Sequence, residues 1–132
     1  MQKKIEVIIV ESDSQIIKLL RNLFVKNEIN PDVVSFVGSL EELLKIFSFN
    51  KDSVTHIGIN GVSWNESGVE SFSLEMKKEE FKGKIFAMST LPRCNDTLKK
   101  IIGHGCRIVP SGPRAIKVET VSIIIGEIKR KQ

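Results

Sequence analysis

Tyrosine is absent from the 132 residues, tryptophan occurs once, and there are only two cysteines and four prolines. Two thiols, Cys94 and Cys106, are too few for the cross-linked framework on which small secreted domains rely. Together with His104 they match no common zinc-finger spacing, and a fourth ligand is missing, so no metal is expected. No apolar run reaches the length of a membrane span. The run at residues 7–10 is too short for a secretory signal core and ends at Glu11. A cytoplasmic protein with reduced thiols and no membrane partner is the expectation.

Neither sign of charge dominates, since 20 basic and 16 acidic residues leave a net +4. The one basic cluster, Lys129, Arg130 and Lys131, reads as a solvated helix end or the start of a linker. Nucleic acid is therefore expected as a partner only through an output domain beyond residue 132, and whether one follows is left open. A phosphate-cradling glycine loop, a dinucleotide glycine motif and a Ser/His/Asp order are all lacking, so no enzyme and no cofactor are expected. His56, in an apolar strand, reads as a satisfied structural histidine.

What is present is the balance of an ordinary globular domain, 41% hydrophobic and 27% charged. A chain of this length hides roughly two thirds of its extended surface on folding, which is enough for one domain over residues 1–132. Residues 4–10 (KIEVIIV) read as a strand buried on both faces. Ser12, Asp13 and Ser14 follow as caps for a helix carrying Ile16, Ile17, Leu19, Leu20, Leu23 and Phe24 on one face.

The alternation repeats along the chain. Strands are predicted over 32–37, 55–60, 84–89 and 106–109, and helices over 40–47 (capped by Ser39), 67–81, 93–103 and 114–129. Strands alternating with helices demand crossovers, so the fold class is α/β: a doubly wound, five-stranded parallel sheet flanked by five helices. Ligands in such sheets gather beyond the carboxyl ends of the strands. That directs attention to residues 11–13, 60–64, 89–90 and 110–113.

At those strand ends stand VIIVESDS, GINGVSWNESGVE, FAMST and GCRIVPSGP. Over essentially the whole chain the pattern resembles the receiver domain of two-component response regulators. That resemblance implies paired acids after the first strand, an acceptor aspartate ending the third, a hydroxyl ending the fourth and Lys-Pro after the fifth. Here the matching positions hold Glu11 and Ser12, Asn60, Ser89, and Gly112 with Pro113. Gly68 lies eight residues beyond Asn60, as the family pattern requires.

The departures remove the chemistry. An amide at residue 60 offers no anionic oxygen to capture phosphorus, and the carboxylates expected around Mg²⁺ fall from three to one. Gly112 replaces the lysine that would pair with a transferred phosphoryl group. Val109 stands where the family's switch aromatic lies. The resemblance thus implies a non-phosphorylatable pseudo-receiver in phosphorelay signal transduction, acting by contact with signalling proteins or a second copy.

Several alternatives stay open at this point. Asn60-Gly61 is also a strong hairpin signal. Asp13 either slides into the place of Ser12 or caps the first helix, and Ser89 may serve only a neighbouring backbone group. Function could instead lie in an unconventional phosphoacceptor, through Glu11, Asp13 or a deamidated residue 60, or in a flavodoxin-like small-ligand domain. Two surface features are candidates for partner contact. Trp64 either fills the pocket or anchors a partner. The last helix carries an apolar arc of roughly 220°, broken by Lys117, Thr120 and Glu127: either its margin, Ile116 and Ile123, is an exposed patch, or the helix is deeply set in a well-covered core.

Overall fold

The β-branched run Val7–Val10 forms β1, and all four residues are buried, as a strand covered on both faces requires. In the computed structural model, which describes residues 4–63, 66–88, 95–108 and 115–131, it lies between β2 (Val34–Val37) and β3 (His56–Asn60). Next come β4 (Lys84–Met88) and β5 (Arg107–Ile108). Every pairing is parallel and the order is β2-β1-β3-β4-β5. Four strands of four or five residues thus carry the sheet, and of the expected fifth the described residues show two, Arg107–Ile108, at its rim.

Five helices among the described residues cover the two faces. α1 (Ser14–Lys26) and α5 (Ala115–Arg130) pack through Leu20, Phe24, Ile116, Val121 and Ile124 onto Val7, Ile9, Phe86 and Met88. On the other face α2 (Leu40–Asn50), α3 (Glu66–Lys78) and α4 (Asn95–Ile102) bring Leu43, Phe47, Phe72, Met76 and Leu98 onto Ile8, Val10, Ile57 and Ile85. Alternate residues of one strand therefore feed two separate cores, which is why the strands read as unbroken apolar runs.

The helix starts follow their caps. Asp13 Oδ1 accepts the backbone N–H of Gln15 at 2.9 Å and of Ile16 at 3.4 Å, so Asp13 begins α1 and does not take the place of Ser12. Ser39 Oγ accepts the N–H of Glu42 at 3.1 Å, while Glu42 reaches back to the N–H of Gly38 at 2.9 Å. β2 starts two residues later than predicted, because Pro31–Val33 is wound into a 3-10 turn with Asn30 capping Asp32. β1 shortens with it: the N–H of Glu6 finds only Val33 O, at 2.8 Å.

One open alternative is excluded, and the candidate exposed patch is corrected. β3 lies between parallel neighbours and leads into a 3-10 turn at Gly61–Ser63, which rules out a hairpin at Asn60-Gly61. Ile116 is fully buried and Ile123 is partly buried against the same core, so neither forms the candidate exposed patch of α5. The helix lies deep against α1, β3 and β4, and its wide apolar arc is consumed by that packing. No helix among the described residues is long and apolar enough to cross a membrane.

Candidate functional site

The chain passes from β1 to β2 on one side and returns to β3 on the other, so the order reverses between β1 and β3. The residues that follow the last β1–β3 pair, Val10 with Ile59, are Glu11 and Asn60. Sequence reasoning expected both at this reversal, and the fold puts them there. Ser12, by contrast, is exposed, so the second acid position is outside the buried site. Trp64, Ser89, Val109, Gly112 and Pro113 lie outside the described residues.

Glu11 is 2% exposed and its backbone N–H is tied to Val37 O at 2.8 Å. Its carboxylate is engaged on both oxygens. Oε2 accepts the N–H of Asp13 at 3.1 Å, and Oε1 lies 2.6 Å from Lys117 Nζ, an ion pair without the alignment of a hydrogen bond. Asn60 is 4% exposed, and its Oδ1 accepts no hydrogen bond from any described residue. Lys117, from the first turn of α5, was visible in the sequence only as a polar break in an apolar arc.

A hard divalent cation needs several anionic or carbonyl oxygens around it. Here a single carboxylate already faces an ammonium, and its neighbour is a neutral amide, so these residues do not fit the Mg²⁺ that the receiver resemblance implies. Nor does either offer an anion free to attack phosphorus. Among the described residues no three His, Cys, Asp or Glu side chains come together to hold a metal. Cys94 lies outside those residues, and Cys106 donates its backbone N–H to Asn95 Oδ1 at 2.9 Å.

A second polar centre, not foreseen as such, lies at the opposite end of the sheet. Glu127 of α5 meets residues from three adjacent strands: His56 Nε2 at 2.8 Å, Lys84 Nζ at 2.6 Å and Arg107 at 3.2 Å. His56 is 3% exposed, its Nδ1 is 2.7 Å from Thr55 Oγ1, and its ring stacks on Phe86 at 6.3 Å. Burial alone would raise the Glu127 carboxyl, but the hydrogen bonds and charges of Lys84 and His56 outweigh it and take the pKa to about 2. For His56 burial dominates over the Glu127 contact and lowers the pKa.

With both ring nitrogens committed, His56 has no lone pair to lend to catalysis, and the structural role read from the sequence holds. Beside it opens a cleft of about 640 Å³ lined by Lys51, Thr55, His56, Glu79, Lys82 and Glu127 among others. Its charges are mixed and partly paired already, Lys51 with Glu79 at 3.2 Å. No protein-family model matches the chain, and no curated protein matches it.

Proposed function

We propose that this chain is a pseudo-receiver: a CheY-like domain that takes part in two-component signalling by binding other proteins, without accepting phosphate. The observation that carries this reading is Asn60, an amide buried at the carboxyl end of the central strand, where the switch in strand order would place an acceptor carboxylate. Glu11, whose charge is met by Lys117, supports it. Function is then argued from the site and not from the fold, since this architecture serves many activities.

Deamidation to an acceptor is disfavoured by the same geometry. Asn60 sits in the β3–β4 ladder opposite Met88, and Gly61 is wound into the following 3-10 turn, which restrains the backbone nitrogen that would have to attack the side chain. The test is incubation of the native chain with acetyl phosphate and Mg²⁺, followed by intact-mass spectrometry. No phosphoryl adduct and no unit mass gain at residue 60 are expected. A stoichiometric acid-labile adduct would return the chain to the active response regulators.

Among the described residues no single apolar patch marks a docking face. Exposed apolar side chains are scattered over three helices, with Leu19 and Val25 on α1, Phe49 on α2 and Leu74 on α3. Scattered exposure of this kind is ordinary for a protein surface. Signalling proteins and a second copy of the chain both stay as partners to be tested by sedimentation and by mixing with histidine-kinase domains.

A further inference from the structure

Burying an ionised carboxylate is costly unless a counter-charge is buried with it. Glu11 is almost wholly buried, and the one cation at its carboxylate among the described residues is the chain's own Lys117, at 2.6 Å. We propose that Lys117 is a built-in cation for this pocket: its ammonium holds the position beside Glu11 that a divalent metal would need, so the chain itself shuts the metal out. This deepens the pseudo-receiver reading and rests on it for the identity of the site.

Two features of Lys117 and one of Asn60 support the assignment. It stands third in α5, in the first turn, where the helix dipole disfavours a positive charge. A lysine placed against that preference needs a local anion, and Glu11 supplies it. Its side chain is only 22% exposed and lies next to the fully buried Ile116, so the long stem is drawn inward and does not carry its charge out to water. Finally, Asn60 adds no charge: among the described residues Glu11 and Lys117 balance one another, so these side chains make no net electrostatic demand for a metal. An aspartate at residue 60 would restore that demand, and Lys117 would then compete with the metal directly.

Mn²⁺ binding, read from the loss of the free-ion electron paramagnetic resonance signal, separates these contributions in the native chain, Asn60→Asp, Lys117→Met and the double variant. The native chain is expected to leave millimolar Mn²⁺ free. The double variant is expected to bind at least about tenfold more tightly than Asn60→Asp alone, since removing a unit charge so close to the metal site relieves strong repulsion. Equal binding by Asn60→Asp and the double variant would overturn the built-in cation. Phosphoryl uptake by the native chain would overturn the pseudo-receiver reading, so the two failures are told apart.

Should variants lacking Lys117 fail to fold, acylation of lysines in folded proteins gives an independent answer. Lys117 is expected to react slowly in the native chain compared with the exposed Lys18 and Lys45, and at least about tenfold faster in Glu11→Gln, measured by peptide mass. Equal rates at Lys117 in the two proteins would remove Glu11 as its partner and sink the proposal.

Discussion

At the amino end of the sheet one carboxylate, Glu127, is shared by His56, Lys84 and Arg107 from three successive strands, whereas at the carboxyl end, among the described residues, Glu11 meets one ammonium beside an amide oxygen that accepts no hydrogen bond. α5 reaches both. Ten residues separate Lys117 from Glu127, about 15 Å along a helix, so one element is pinned to the sheet by opposite charges at its two ends. The amino end is well satisfied and open to water on its basic side. Among the described residues the carboxyl end is buried, with Glu11 2% and Asn60 4% exposed, and it has fewer polar contacts than the amino end.

The poorer end should break harder. Lys117→Met leaves Glu11 buried with no counter-charge among the described residues, and removing one partner of a buried pair costs about 4 kcal/mol. Urea unfolding measures it, and adding Glu11→Gln should recover most of the loss. A loss under about 1 kcal/mol would mean that the pair is solvated, and the contrast between the two ends would disappear.

Glu127→Ala comes next, at about 2–3 kcal/mol. Its partners Lys84 and Arg107 are about half exposed and regain water, so the main cost is the buried His56, left with one unpaired nitrogen. Comparing the urea midpoints of the two variants tests the ranking. A larger loss from Glu127→Ala than from Lys117→Met reverses it.

Acid exposes the amino end specifically. The folded pKa of Glu127 lies below its ordinary 4.5, at about 2, so its stabilising effect is complete above about 4.5 and is lost as pH falls towards 2. His56 acts in the same direction: its pKa is lowered by burial, the native state binds the proton less readily than the unfolded chain, and stability starts to fall below about 6.5. Discounting the shift for the half-exposed partners, the Glu127 share is about 2 kcal/mol. Unfolding midpoints of native protein and Glu127→Ala should converge between pH 4.5 and 2. Parallel curves would remove Glu127 as the acid-sensitive group.

These two centres also mark where the sequence was informative. Unbroken apolar strands such as Val7–Val10 and capped helices such as α2 declare themselves locally, because period and capping are short-range properties. Glu11 and Asn60 were placed correctly because strand ends follow from strand order. The Glu127 cluster was not, since its partners are 71, 43 and 20 residues away. A signal was nevertheless present. Lys117, Thr120 and Glu127 were the polar breaks in the arc of α5, and each proves engaged, Thr120 by donating to Ile116 O at 2.6 Å. A helical wheel gives direction without depth, which is why it left open whether Ile116 is exposed or covered, and Ile116 lies in the core.

The smallest expected effect has the opposite sign. Asn60 Oδ1 is buried and accepts no hydrogen bond from a described residue, so those residues do not offset its desolvation. Asn60→Leu keeps a similar volume and removes the orphan group, and should raise stability by about 1 kcal/mol in urea unfolding. That gain is available only at the carboxyl end, because every polar atom at His56 already has a partner. If Asn60→Leu destabilises the chain, the amide is held by bonds that its free oxygen conceals, and the pocket is better built than a vestige should be. If it stabilises the chain and partner binding persists, the pocket can be separated from docking, and the contact surface must be sought on the helices.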